Sequence, residues 1–205
     1  MCGRIAGALL VAIVAMPGPG RASARQWVKT VRILDISPAR IDVAEAIESL
    51  RRDYHAPISF IDGGDGAQVS LHVQDRTTSG VLAQILRQNR AYRLAEVNGR
   101  WVVFPNRPGF QAVIEGVQIV DVPRLQAADR YIGYLKGHIA GFEDLVGTIS
   151  KGNPEAPLFT TPVTLPRRAT VLQHLVALLG DDPSIAFSIR QTRSGKYVFF
   201  LETVP

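Results

Sequence analysis

Two apolar periods alternate along this chain. "VRILDIS" (31–37) mixes apolar and polar residues at short intervals and reads as a strand, which Pro38 ends. Asp42 then stands three residues before Glu45, a capping-box-like start with Asp in the cap. Val43, Ala46, Ile47, Leu50 and Tyr54 recur at helical spacing, which predicts an amphipathic helix over 43–55, closed by Pro57. "ISFID" (58–62) reads as a short strand, "DGGDG" (62–66) as a turn and "QVSLHVQD" (68–75) as an alternating strand with Val69, Leu71 and Val73 on one face. Thr78 caps a second predicted helix, whose stripe is Val81, Leu82, Ile85 and Leu86. "AYRLAEV" and "RWVVF" form a hairpin around Asn98-Gly99, a pair favoured in two-residue turns. The predicted order is β-α-β-β-α-β-β.

The second half repeats much of this pattern. Val69, Leu71 and Val73 match Phe159, Thr161 and Val163, and Val81, Leu82 and Leu86 match Val171, Leu172 and Val176, all at an offset of 90. A short insertion, "GDDPS" (180–184), follows. Tyr92 and Leu94 then match Phe187 and Ile189 at an offset of 95, and Trp101 to Phe104 match Tyr197 to Phe200 at 96. Agreement of a strand, a helix and a hairpin in order points to one unit built twice. The front of the second copy is less regular. "GVQIVDV" (116–122) reads as its first strand. From Leu125 to Ile149 apolar residues keep helical spacing, but Gly133, Gly137 and Gly141 interrupt them, each costing about 1 kcal/mol against alanine in a helix interior. One closely packed helix and two helices both fit. "FPNRPGF" (104–110) reads as the linker between copies and "SKGNPEAP" (150–157) as a loop.

Composition adds an address. Arg4 precedes an uncharged apolar run, Ile5 to Met16; "PGPG" (17–20) breaks it, and "ASA" (22–24) supplies small residues for cleavage after Ala24. Residues 1–24 therefore read as a signal peptide, too short in its apolar part to span a bilayer as a helix of about 20 residues does. The single cysteine, Cys2, lies inside that segment, so the mature chain would hold no disulfide and no thiol chemistry. Taking Arg4 and Arg21 from the 23 Lys and Arg leaves 21 against 18 Asp and Glu, a net +3. The pairs Arg51-Arg52 and Arg167-Arg168 form no stripe, which argues against nucleic acid as a partner.

The run "ILDISPARIDVAEAIESLRRDYHAPISFID", followed by "VSLHVQDRTTSGVLAQILRQNRAYRLAEVNGRWVVFP", resembles the short N-terminal domain shared by secretins and TonB-dependent receptors, over about residues 31–105. A weaker partial match covers 158–202. "ISPA" is similar to the family's "IPA" with a residue inserted. The resemblance implies a small periplasmic module that works through protein contacts, in receptors with an inner-membrane signalling protein and in secretins around the vestibule. The chain lacks the length for a secretin pore or a receptor barrel.

The resulting expectation is an α+β protein of two small β-α-β-β-α-β-β modules, each a small mixed sheet with two helices: a signal peptide at 1–24, one module at 25–107 and a divergent second at 108–205. Its expected place is the periplasm, in association with the outer membrane or free of it, in envelope transport, secretion or signalling. The expected partner is an envelope protein bound by strand-edge contacts, with no integral membrane segment after signal removal. A cell-wall or polysaccharide-binding module is the alternative, and an enzyme with an unrecognised site the second.

Candidate chemistry is sparse, and no catalytic, metal, cofactor or named binding residue is expected. His55, His72, His138 and His174 lack metal-ligand spacing. Asp62 and Asp65 offer too few oxygens for calcium, which takes six to eight. No Lys-Ser/Thr follows the "DGGDG" glycines, and no G-x-S-x-G or S-x-x-K motif occurs. Trp101, Tyr197, Phe199 and Phe200 lie in strands beside apolar residues and are expected to be core, with Trp101 and Phe200 as structural anchors.

Overall fold

The structure, a computed structural model, describes residues 41–64, 66, 68–70, 77–119, 125–126, 128–145, 148–149, 162–192 and 197–204. The predicted signal peptide, the 31–37 strand, most of the 68–75 strand, Phe159, Thr161 and the 150–157 loop lie outside them.

Helix α1 (Val43–Tyr54) begins where its pattern says. The Asp42 carboxylate accepts from the Glu45 N–H, and the helix ends at His55 in the left-handed conformation, its N–H returning to the Leu50 carbonyl. Helix α2 (Thr78–Gln88) corrects the predicted cap. Thr77, not Thr78, is the N-cap, accepting from the Gly80 N–H, while Thr78 is the first helical residue and is buried. Adjacent threonines are equivalent to a sequence pattern; only the turn geometry chooses between them. Strands β4 (Tyr92–Val97) and β5 (Arg100–Pro105) form the expected hairpin, with Asn98 and Gly99 both at positive φ, 51° and 75°.

The predicted 104–110 linker is another correction. Phe104 and Pro105 still belong to β5, and helix α3 (Pro108–Ile114) starts at once, with Pro108 at its first turn, where a missing N–H costs nothing. Further on, the choice between one helix and two resolves. Leu125–Gln126 is a short strand (β7), followed by α4 (Ala128–His138) and a separate α5 (Phe142–Leu145). The break comes at Gly141, whose φ of +77° ends α4's direction. Helix α6 (Val171–Ala177) closes the set, opened by a reciprocal capping box between Thr170 and Gln173.

The architecture is α+β. Its centre is a six-stranded mixed sheet in the order β4-β5-β2-β11-β12-β8, where β2 is Ile58–Ile61, β8 Thr148–Ile149, β11 Ile185–Gln191 and β12 Tyr197–Thr203. The hairpins β4–β5 and β11–β12 are antiparallel; β2–β5, β2–β11 and β8–β12 are parallel. Three two-stranded ribbons accompany it: β1 (Ile41–Asp42) with β3 (Gln68–Val69), β7 with β9 (Val163–Thr164), and β6 (Val117–Ile119) with β10 (Arg168–Thr170).

Both faces of the sheet are covered where β5 runs. Trp101 and Val103 point to a core with α1 and α2, built on Ile47, Leu50, Leu82 and Ile85. Val102 and Phe104 point the other way, to a core with α3, α4, α5 and α6, built on Ile114, Leu135, Phe142 and Leu175. Period-two alternation in one strand thus feeds two layers. Among the described residues no helix is long and apolar enough to cross a membrane.

Candidate interaction site

The two halves of the chain meet at a strand joint. Strand β2 lies parallel to β11, with Phe60 opposite Ser188 and Ile61 opposite Ile189. The Asp62 N–H donates to the Ile189 carbonyl at 2.7 Å, and the Phe187 N–H donates to the Ser59 hydroxyl at 3.2 Å. Ser59 and Ser188 are fully buried here, where small polar side chains let strands carry layers closely on both sides. The "DGGDG" turn sits at the end of this joint. Gly64 has a φ of +70°, a conformation that favours glycine, and its only close neighbour is the movable end of the exposed Gln191 side chain.

Side chains bolt the joint on both sides. Arg51 of α1 is 3% exposed, and its guanidinium pairs with Glu202 of β12 at 2.8 Å and with Glu48 at 3.5 Å. Arg190 of β11 reaches the same two carboxylates, Glu48 at 2.8 Å and Glu202 at 3.4 Å. Burial pulls the Arg51 guanidinium below its ordinary value, against the two carboxylates, which raise it. At the far end, Arg100 leaves the first hairpin and donates to two carbonyls of the 180–184 segment, Gly180 at 3.0 Å and Asp182 at 2.7 Å, and to that of Ile185 at the start of β11, at 2.8 Å. Burial lowers its value too, opposed by Asp182 and Asp181. The insertion holds its own shape through Asp182, whose carboxylate accepts from the Ser184 N–H and hydroxyl and is held below the usual range by them.

The residues weighed for chemistry do not converge. His55 is a helix C-cap; His138 stacks on Tyr134 at 3.9 Å; His174 is fully buried, its Nε2 2.8 Å from the Pro166 carbonyl. His72 and Asp65 lie outside the described residues. Asp62 accepts from the Gly64 N–H and from the Tyr92 hydroxyl, which itself accepts from the Gly63 N–H. Among the described residues no group of three His, Cys, Asp or Glu is placed to hold a metal. A shallow cleft of about 220 Å³ lies beside the joint, lined by Asp42, Asp62, Gly64, Tyr92 and Gln191 among others.

The aromatic expectation needs revision. Phe199 and Phe104 are core, at 1% and 0% exposure. Trp101 and Tyr197 are only half-buried, packed on the margins of the two cores, and Phe200 is half-buried with the Arg190 guanidinium 5.8 Å above its ring. Large rings stand where their strand leaves the covering helices, a fact of layer extent and not of pattern.

The sheet's two ends are the remaining feature. Among the described residues, β4 pairs only with β5 and β8 only with β12. In β4 the Asn106 N–H bonds the Ala91 carbonyl, which continues the ladder and turns the odd-numbered residues' backbone toward β5. The N–H and C=O of Leu94 and Glu96 therefore point away from it, toward the open edge. Sequence reasoning missed the joint and its bolts. Arg51, Glu48, Arg190 and Glu202 carry no motif, and only their meeting across 142 positions makes them a unit.

Comparison of the chain with protein-family models, with curated proteins and with solved structures finds no match.

Proposed function

We propose that this chain is an exported periplasmic protein-interaction unit, made of two modules of the kind found at the N-termini of secretins and TonB-dependent receptors. Its role is to hold an envelope protein through strand-edge contacts, and it turns over no substrate. The observation that carries the reading is recurrence of strand pairing. In each half a short ribbon flanks the first helix (β1–β3, β7–β9), and the strand after that helix lies parallel to the second strand of the hairpin (β2–β5, β8–β12). The registers agree as well. Val102 and Val198, related by the offset of 96 that aligns the hairpins, face Ser59 and Thr148 respectively. A unit with open edges recruits partner strands by backbone hydrogen bonds and needs no catalytic constellation. The periplasmic address rests on the 1–24 segment.

A wall-polymer module would need aromatic faces free for sugar rings. Trp101 packs on the α1–α2 core and Phe200 lies beneath Arg190, which favours the protein-binding reading. The test is crosslinking in intact cells with the chain expressed at full length. An envelope protein recovered with it is the expected result. Recovery of none, together with binding to or cleavage of a wall polymer by the purified chain, overturns the reading. The N-terminus of the exported chain, read by mass spectrometry, should be residue 25.

A further inference from the structure

The two open edges are the two halves of a joint the chain already makes. Under the two-module reading, on which this inference rests, β11 is the counterpart of β4 and β2 the counterpart of β8. The joint β2–β11 therefore joins the third strand of one module to the first strand of the next. At the ends of the sheet the same two strand types recur unpaired among the described residues: β8, a third strand, and β4, a first strand. Their directions are suitable. Strand β4 runs antiparallel to β5 and hence to β2, and β8 runs parallel to β12 and hence antiparallel to β11. Thus β4 and β8 point the same way, and a second copy moved along the sheet brings its β4 parallel to β8, as β11 is parallel to β2. The joint's hydrogen-bonding positions carry over too. Ile189 accepts at the joint, and its counterpart Leu94 turns its backbone to the open edge.

A second, independent observation concerns the faces. Equivalent strand residues of the two modules point to opposite faces: Val103 joins the α1–α2 core, whereas its counterpart Phe199 joins the α4–α6 core. Each module is thus turned over relative to the one before. This lets the second module's α6 reach back over the first module's sheet, where Val102 and Phe104 are fully buried. Their counterparts Val198 and Phe200, at the same offset of 96, are only half-buried. What covers the first pair is the layer supplied by residues 108–205, whereas the second pair stays half-buried among the described residues.

We infer that the chain assembles head to tail, the β4 edge of one copy continuing the sheet beyond β8 of the preceding copy and its α2 covering Val198 and Phe200. Such a contact joins two different surfaces and does not close on a pair of subunits, so it propagates as a row of copies unless the rotation between copies closes a ring. Each copy adds six strands, or roughly 29 Å at about 4.8 Å per strand. The free edge at either end of the row remains for the envelope partner.

The joint's register sets the test. Phe60 opposite Ser188 translates to Ile149 opposite Arg93 of the next copy. With Cys2→Ser removing the only native thiol, Arg93→Cys and Ile149→Cys chains are expressed separately at full length, purified after export and mixed with a short thiol crosslinker. The expected product is the mixed dimer, in large excess over either like-with-like dimer, and Leu94→Pro in the Arg93→Cys chain abolishes it. Proline removes an N–H from the open edge, and edge strands tolerate it; because Leu94 also packs on the α1–α2 core, its variant should melt lower, whereas Glu96→Pro, at an exposed edge position, should abolish the product with circular dichroism and melting near those of the parent. The wild-type chain should sediment as a concentration-dependent series. A monomer at every concentration with no crosslink, or a predominant Arg93–Arg93 product, overturns the inference. So does assembly that appears only on deletion of residues 25–40, because the chain's own predicted 31–37 strand would then be the edge's occupant. A monomeric chain that still captures an envelope protein in cells leaves the module reading standing and removes the self-assembly alone.

Discussion

Strands β2 and β8 follow a helix in the same way and pair in parallel with the same kind of partner, yet they have different surroundings. β2 has β5 on one side and β11 on the other, and all four of its residues are buried. β8 has one described neighbour and ends the sheet. The contrast extends to the last strands of the hairpins: Val102 and Phe104 are fully buried, and Val198 and Phe200 at corresponding positions are half-buried. Hydrophobicity is the same in both places. Burial is set by what lies over the strand and not by the residues themselves: α3, α4, α5 and α6 cover Val102 and Phe104.

That comparison is most sharply tested with phenylalanine. Phe104→Ala should cost about 3–5 kcal/mol, the range for truncating a buried aromatic. Phe200→Ala, measured in dilute solution, should cost less, because part of its ring stays in water in the folded state. Equal losses in chemical denaturation would mean that the two positions are equally buried and would break the comparison. Next in size is the bolt between the halves. Arg100→Ala leaves three carbonyls of the 180–185 turn without their donor, and about 1–3 kcal/mol should be lost, with hydrogen exchange rising first in that turn. No change in exchange there would show that the insertion needs no clamp.

A smaller effect separates the counterpart helices. Thr170→Ala removes one arm of a reciprocal capping box, and Thr77→Ala a single cap bond at 3.2 Å. Each should cost about 1 kcal/mol, with Thr170 the larger; thermal melts of the two variants compare them directly. The smallest effect near neutrality is acid sensitivity. His174 is held below its ordinary value by burial, opposed by its bond to the Pro166 carbonyl. Unfolding exposes an imidazole that titrates near 6.5, so the unfolded chain takes up this proton first as pH falls. Its contribution is complete above about 6.5 and declines below that, down to the lowered folded value. His174→Gln should flatten that part of the melting curve against pH, and an unchanged slope would assign it to other groups.

The helices and hairpins were legible because their causes are local. The α1 stripe, the Asp42 cap and the Asn98-Gly99 turn depend on residues within a few positions of each other. The α+β class was legible too, since strand-period and helix-period runs both stand in the sequence. What misled was equally local: Thr77 and Thr78 compete for one cap on equal terms, and a proline-rich run reads as linker although Pro108 suits the first turn of α3. The joint was not legible. Ser59 meets Phe187, Arg51 meets Glu202, and Arg100 meets the turn at 180–185 across separations that no period or motif records.

The sequence by itself determined which segments form helices and strands, and the apolar residues available to cores, because propensity, capping and periodicity act over a turn or two of chain. Only the tertiary structure decided that the two hairpin units share one sheet, which strands lie inside it and which at its ends, and which face each helix layer covers. Those outcomes depend on how the two halves of the chain lie against each other, and that is a contact between distant segments with no local signature.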